Sequence, residues 1–374
     1  MKRFILFTLV ALNISLSFGA DYSKIDKQSG TIPTYLKTSP EIAGYLTKGL
    51  INPTDKVRAI YYWISHNIKY DVSLLGTANI SYQAGERNLL NEVLEKRMGV
   101  CQHYAELFNA CCKSVGIKSY IISGYTTQNG VLASLSHAWN AVFINGNYYE
   151  IDVTWASGYV QNGKFKQEFT DLYFLIPPAV FIKTHMPFDP IWQFLDNPVT
   201  HGDFKNGDFS RLNIMSDYNF TDSIKVSETL DSLSNLIRSD KRIQKSGLTN
   251  SLIKTFIFYN QQNIVQLKYN QAVKDFNKAV QDYNIYIMSK NKQFNNTTLP
   301  DDQILELLSA VHENINKAEN GIKFLNGDGH KLWESILAMQ TSINKLRENT
   351  GAEDAFVKKY ISTWKPARML LFVR

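Results

Sequence analysis

The stretch HAWNAVFINGNYYEIDVT, residues 137–154, consists of two apolar and aromatic runs separated by Asn145-Gly146. An Asn-Gly pair between two such runs is a strong signal for a β-hairpin with a two-residue turn. That turn would place Trp139 opposite Asp152 and His137 opposite Thr154. Since side chains alternate along a strand, we expect His137 and Asp152 on one face of the hairpin, within side-chain reach of each other.

Upstream of the hairpin, the segment MGVCQHYAELFNACCKSVG, residues 98–116, predicts a helix that begins near Cys101 and ends at Gly116. A strand over 117–125 should follow it. Earlier apolar spacing predicts a helix over 54–68 and another near 89–94, with a loop over 71–88 between them. After the hairpin, residues 155–209 are rich in proline and aromatic residues and should be irregular, apart from a strand over 172–176.

Three residues in these elements form a chemically meaningful set, namely Cys101, His137 and Asp152. A thiol attacks a carbonyl as the thiolate, a form favoured by a helix N-terminus and a neighbouring imidazolium. The imidazole needs a carboxylate that fixes its orientation and tautomer. We therefore predict a nucleophile, a general base and an orienting carboxylate, in that order along the chain.

Composition excludes several classes of protein. The chain has 374 residues, of which 44% are hydrophobic, and a formal net charge of +6. This length suggests about two domains, and a chain so aromatic and nearly neutral is not mainly disordered. The charge is too weak and scattered to indicate nucleic acid binding. Only three cysteines are present, all close together, so a disulfide framework is not expected.

The first 20 residues have the pattern of a secretory signal peptide. Lys2 and Arg3 precede an apolar run, and small residues stand at Ser17, Gly19 and Ala20. We expect an exported protein, periplasmic or extracellular, without a transmembrane segment because no later run of about 20 apolar residues occurs.

From about residue 220 the composition shifts towards Asn, Gln, Lys and Ser, with helical apolar spacing. Three stripes of apolar residues at helical spacing follow, over 269–286, 304–325 and 332–346, with turns expected around 295–300 and 327–329. They predict a small antiparallel helical bundle, whose apolar faces form its own core or, alternatively, a surface for a protein partner. The predicted divisions of the chain are a signal peptide over 1–20, a catalytic domain over 21–210 and a C-terminal helical domain over 220–374.

The motifs around the three chemical residues resemble those of the transglutaminase-like superfamily. They are RMGVCQHYA at 97–105, HAWN at 137–140 and DVTW at 152–155, and together with their surroundings they cover roughly residues 55–205. The later strings Tyr173-Phe174-Leu175, His185-Met186-Pro187 and Trp192-Gln193 resemble the bacterial, kyphoscoliosis-peptidase-like branch.

The resemblance implies an α+β fold with a papain-like core, in which a helix carrying Cys101 packs on an antiparallel sheet carrying His137 and Asp152, ahead of the C-terminal α-helical bundle. It also implies an oxyanion hole that includes the backbone N–H of Cys101. The second donor stays open among Gln102, Trp63 and Tyr70.

Four further residues are candidates for substrate binding. Trp139 and Trp155 flank the predicted site and would either line the acyl-donor channel or fill core. Gln102 and His103 follow the cysteine, and His103 would either narrow the cleft or sit on the helix surface. Zinc bound by Cys101, His103 and His137 is a weak alternative. We expect no metal and no cofactor.

The predicted activity is acyl transfer on peptide or protein amides through a thioester, with hydrolysis slightly favoured over cross-linking by an amine. One alternative is a binding or assembly protein that uses the cleft and the helical module without catalysis. Another is an acyltransferase of the arylamine N-acetyltransferase type. The apolar residues of segment 21–50 show neither helical nor strand periodicity. This segment would either shield the cleft or pack along the domain.

Overall fold

The computed structural model describes residues 21–75, 89–214, 218–294, 299–323, 325 and 332–372. The predicted signal peptide, most of the predicted 71–88 loop and the two turns expected in the C-terminal part lie outside these residues. The chain divides into two compact units, residues 1–220 and 221–374. No helix among the described residues combines the length and the apolar character needed to cross a bilayer.

The first unit is a mixture of helices and an antiparallel sheet. Its helices are α1 (Ser23–Ser29), α2 (Ser39–Leu46), α3 (Pro53–Asn67), α4 (Leu89–Lys96), α5 (Cys101–Ser114), α6 (Val153–Ser157), α7 (Pro178–Phe181) and α8 (His201–Asn206). Its strands are β1 (Lys69–Tyr70), β2 (Met98–Gly99), β3 (Lys118–Gln128), β4 (Val131–Leu132), β5 (His137–Ile144), β6 (Asn147–Ile151), β7 (Gly158–Gln161), β8 (Lys164–Gln167) and β9 (His185–Pro187).

The central sheet runs in the order β4-β3-β5-β6, and β9 also pairs with β3. Strands β5 and β6 form the hairpin in the expected register, with Asn140 opposite Ile151 and Ile144 opposite Asn147. The strand β6 ends at Ile151, so the expectation that Thr154 faces His137 is wrong: Thr154 lies in helix α6, whose N-cap is Asp152. The side chain of Asp152 accepts a hydrogen bond from the backbone N–H of Trp155 and so starts this helix.

The core lies between the helices and the sheet. Buried side chains of α2, α3 and α5 pack with those of β5 and β6, and the completely buried ones include Ile42, Trp63, Phe108 and Val142. Residues 21–50 therefore pack along the domain. Arg58, buried on α3, forms ion pairs with Asp26 of α1 and with Asp171, which ties the N-terminal segment to the core.

The region after the hairpin is more regular than expected. Strands β7 and β8 form a separate two-stranded hairpin, and the strand expected over 172–176 is wrong, since only Ile176 makes a bridge, to Glu150. Gly158, which begins β7, has φ +148°, and a Cβ there would lie 2.0 Å from the carbonyl oxygen of Lys166. Only glycine fits this position.

The second unit is helical. It contains α9 (Phe220–Thr229, whose first residue belongs to the first unit), α10 (Ser232–Ser246), α11 (Ser251–Asn291), α12 (Asp301–Ile322) and α13 (Trp333–Ser362). The three stripes lie on α11, α12 and α13, and most of their residues are buried against one another, including Ala272, Val311, Ile315 and Ile343. The α+β class with C-terminal helices is thus confirmed.

Candidate active site

Helix α5 presents Cys101 at its first position, directly after the extended N-cap Val100. The thiol is half-buried, and it is hydrogen-bonded to His137, the first residue of β5. The other two cysteines, Cys111 and Cys112, are fully buried further along α5, where burial raises the pKa of Cys111 to about 12 and that of Cys112 well above its usual value. The chain therefore has one accessible thiol.

His137 connects Cys101 to Asp152. Its Nε2 lies 2.6 Å from Asp152 Oδ2, which leaves Nδ1 as the ring nitrogen available to the thiol. Burial opposes the charged imidazole, but the carboxylate and the hydrogen bonds to Asp152 and Cys101 outweigh it and raise the pKa of His137 to about 10. At neutral pH the His137 ring is therefore protonated on both nitrogens, as a thiolate–imidazolium pair requires.

Asp152 is completely buried. Burial alone would raise its pKa, but the charge and hydrogen bond of His137 and the hydrogen bond of His185 hold the pKa of Asp152 well below its usual range. Its Oδ1 caps helix α6 and its Oδ2 accepts from both imidazoles, so the carboxylate is held at both oxygens. The structure therefore brings together the three residues on which the chemical prediction depends.

A cleft of about 800 Å³ opens beside His137. Its walls combine aromatic and polar side chains. The aromatic ones are Tyr70, Trp155, Tyr159, Phe165 and Tyr173, and the polar ones include Gln128, Thr154 and Glu168. A wall of this mixed character suits a peptide, because aromatic faces bury apolar side chains while polar groups bond the peptide backbone.

The four candidate substrate-binding residues differ in position. Trp155 lines the cleft. Trp139 is buried behind it, with its ring 6.0 Å from that of His137 and its indole N–H donated to Glu150 at 3.0 Å. Gln102 and His103 are also buried and do not line the described cleft. The Nδ1 of His103 accepts a hydrogen bond from the Val100 backbone N–H at 3.2 Å, which stabilises the start of α5.

Of the three candidates for a second oxyanion donor, Tyr70 has the best position. It lines the cleft, and it lies near enough to Cys101 for the negative charge of the thiolate to help raise the pKa of Tyr70, an effect due mainly to burial. The amide nitrogen of Gln102 bonds to Glu106 at 3.1 Å instead, and Trp63 is fully buried in the core.

The site contains a second histidine, His185, which the sequence places in a loop, either at the border of the cleft or, preferably, in a structural hydrogen-bonding role. His185 on β9 lies 3.2 Å from Asp152 Oδ2. Residue 185 belongs to the string His185-Met186-Pro187, so the motif was visible, but its distance from Asp152 was not. Among the described residues, His137, Asp152 and His185 form one group with possible metal ligands within 4.8 Å of one another. Both imidazoles lie within hydrogen-bonding distance of the same carboxylate oxygen, Asp152 Oδ2.

Part of the N-terminal unit is similar to known proteins. Residues 40–153 match the model of the transglutaminase-like superfamily. The kyphoscoliosis peptidase of Mus musculus is 30% identical over 195 residues, which cover 50% of this chain and 28% of that protein. The kyphoscoliosis peptidase of Homo sapiens is 33% identical over 162 residues, 41% of this chain and 23% of that protein. The chain thus spans about a quarter of the length of these relatives.

Two solved structures show weaker similarity. One, described as a candidate cysteine protease from Cytophaga hutchinsonii, has 24% identity and a TM-score of 0.26, and the match covers 37% of this chain and 43% of that one. The other, described as a TGase, has 19% identity and a TM-score of 0.26, with 43% and 38% covered.

Proposed function

Starting from the premise that residues 40–153 form a transglutaminase-like domain, we propose that this protein is a cysteine enzyme of acyl transfer that acts on amide bonds of peptides or proteins. The observation that carries the proposal is the continuous contact from Cys101 through His137 to the buried Asp152. These three side chains supply a nucleophile, a proton carrier and a fixed counter-charge.

The proposed reaction has two halves. The Cys101 thiolate adds to the amide carbonyl, and the negative oxygen is stabilised by the backbone N–H of Cys101, with Tyr70 as the second donor. His137 gives its proton to the leaving nitrogen as the C–N bond breaks and the thioester forms. Water or a second amine then attacks the thioester and loses a proton to His137. The C–S bond breaks, which releases a carboxylic acid or a new amide and restores the Cys101 thiolate beside the imidazolium.

Hydrolysis is the outcome that we favour over amine transfer. The two kyphoscoliosis proteins are called peptidases, and they are the relatives with the highest identity reported above. Export to the periplasm or to the extracellular space remains a further proposal, carried by the pattern of residues 1–20 alone.

The first experiment measures whether the site is activated. Full-length protein is treated briefly with iodoacetamide at neutral pH, and the adduct is located by peptide mapping. We expect modification of Cys101 only, because Cys111 and Cys112 are buried and their raised pKa values keep them as thiols. The Cys101→Ala variant should lose the adduct while Cys112→Ala, the matched control, should keep it. Equal inertness of all three thiols would favour the non-catalytic binding protein.

The second experiment distinguishes the products. A denatured protein substrate is incubated with the enzyme in the presence of a fluorescent primary amine, and new peptide ends and incorporated amine are counted by mass spectrometry. Peptide ends without amine indicate a peptidase, and amine incorporation indicates a transglutaminase. Turnover by Cys101→Ala at the wild-type rate would contradict the proposal. Acetyl transfer from acetyl-coenzyme A to an arylamine, with release of coenzyme A, would favour the acetyltransferase alternative.

A further inference from the structure

The Asp152 carboxylate has two histidine neighbours, although the proposed chemistry uses only one of them. Its Oδ2 lies 2.6 Å from His137 Nε2 and 3.2 Å from His185 Nε2. Both Asp152 and His185 are fully buried. A buried carboxylate is costly unless donors satisfy its oxygens, so the second imidazole removes part of that cost.

The hydrogen-bond network fixes the tautomer of His185. Burial lowers the pKa of His185 to about 4, so at neutral pH the ring carries one proton. Because the atom opposite Nε2 is the oxygen of an ionised carboxylate, that proton must lie on Nε2. The remaining Nδ1 then accepts from the hydroxyl of Thr184, whose oxygen is 2.8 Å away.

The position of His185 is determined by the sheet. Gly124 of β3 pairs with His137 on one side and with Pro187 on the other, and Thr126 pairs with His185. Paired residues share a face, and so do residues two apart on a strand, so both histidines stand on the same face of the sheet. Their ring centroids are 5.9 Å apart.

The ring of His185 has little freedom. It stacks on Phe181 with a centroid distance of 3.9 Å and contacts the indole of Trp155 at 4.5 Å. The titratable groups whose contacts with His185 are described are Asp152, His137 and Tyr173. An imidazole confined in this way presents its N–H to Asp152 in one direction only.

We propose that His185 is a positioning residue, a fixed neutral donor that keeps the Asp152 carboxylate ionised and aimed at His137. The chain of contacts runs from Thr184 through His185 and Asp152 to His137 and Cys101. This inference rests on the proposed function, because it assigns His185 a role in forming the thiolate–imidazolium pair. His185 itself does not touch the reacting atoms.

The test measures the rate of Cys101 alkylation by iodoacetamide from pH 4 to pH 9 in full-length protein. His185→Phe keeps the stacking ring but removes the donor, and His185→Gln restores a donor. We expect His185→Phe to react more slowly at pH 6 by about tenfold to a hundredfold, as expected for losing a hydrogen bond to a charged group. The pH at which the alkylation rate rises should shift upward. His185→Gln should recover most of the wild-type profile.

His201 provides a matched control. It is also fully buried with a pKa lowered to about 4, and it bonds Tyr125 and Phe188 in the same unit, away from Asp152. His201→Phe should lower stability without moving the pH profile of alkylation. If His185 had a merely structural role, His185→Phe would also lower stability without moving the pH profile, and that result would overturn the proposal. Failure of His185→Gln to restore the profile would overturn it as well.

If His185→Phe does not fold, Thr184→Val replaces it, because valine matches threonine in shape and removes the hydroxyl that bonds Nδ1 of His185 and helps to hold the ring towards Asp152. A shift of the rising limb to higher pH would support the proposal, and an unchanged profile would overturn it. The two hypotheses fail differently. A wild-type Cys101 no more reactive than the same cysteine in urea-unfolded chain would overturn the proposed function and this inference together. An activated Cys101 that is indifferent to residue 185 would overturn the inference alone.

Discussion

The pairing of His137 with Asp152 leads to a quantitative prediction for Asp152→Asn. The substitution preserves shape, and its amide oxygen can still accept from the Trp155 N–H that begins helix α6. What it removes is the negative charge 2.6 Å from His137 Nε2. The effect should therefore appear in the titration of His137 and not in the start of the helix.

The magnitude follows from the pKa of His137. Its rise from 6.5 to about 10 corresponds to about 5 kcal/mol of preference for the imidazolium, as an upper value that includes the contribution of Cys101. Without the carboxylate, burial still opposes the charged ring, so we expect the pKa of His137 to fall below 6.5. Nuclear magnetic resonance of protein with isotope-labelled histidine follows the 7 histidines of the chain individually. His137→Gln assigns the signal.

The same shift predicts a dependence of stability on pH. Because the pKa of His137 is raised in the folded state, its contribution is fully present below pH 6.5 and is lost as the pH rises towards 10. The difference in free energy of unfolding between wild type and Asp152→Asn should shrink by about 3 kcal/mol between pH 6 and pH 9. Pulse alkylation of the buried Cys111 and Cys112 in urea reports unfolding of this unit alone. The reasoning would be refuted if His137 titrated at the same pH in both proteins, or if the difference in free energy of unfolding between them did not depend on pH.

Three other predictions test the architecture by urea unfolding. Gly158→Ala should destabilise the first unit by about 2 kcal/mol or more, because its Cβ meets the Lys166 carbonyl at φ +148°, and a neutral effect would contradict that geometry. Arg58→Met removes a buried guanidinium from Asp26 and from the exposed Asp171, and it should cost about 1.5 to 3 kcal/mol, the value of a hydrogen bond to a charged group. Arg211→Met, at a more exposed ion pair, should cost about 1 kcal/mol or less, and equal losses would count against the buried pair. Ile315→Ala, in the core of the second unit, should cost that unit about 2 to 5 kcal/mol by circular dichroism, and a loss under 1 kcal/mol would argue against the packing of α12.

Local patterns predicted the parts of the fold that local chemistry determines. Asn145-Gly146 specifies a tight turn, and the register of β5 and β6 follows from it. The start of α5 at Cys101 and the buried residues of the three C-terminal stripes follow from helical spacing in the same way. Each of these features depends on residues close together in sequence.

The features that sequence reasoning missed depend on distant contacts. Helices α1 and α2 have only 7 and 8 residues, too short for a clear period, and α1 is tied to the core by the ion pair between Asp26 and Arg58. The contact of His185 with Asp152 joins residues 33 apart and requires β9 to pair with β3. Thr154 was misplaced because the N-cap at Asp152 ends the strand, which alternation alone does not reveal.

Strand β3 connects the two strands that carry His137 and His185. It pairs with β5 and with β9 on its two edges, and a Cβ at Gly124 would lie 2.2 Å from the Met186 carbonyl oxygen, so the backbones meet closely there. The two histidines thus depend on two ladders of backbone hydrogen bonds that share β3. We therefore expect one cooperative opening of the native state to expose the backbone amides of β3 and to abolish the activation of Cys101. Amide hydrogen exchange in β3 and loss of thiol reactivity should therefore share one opening free energy.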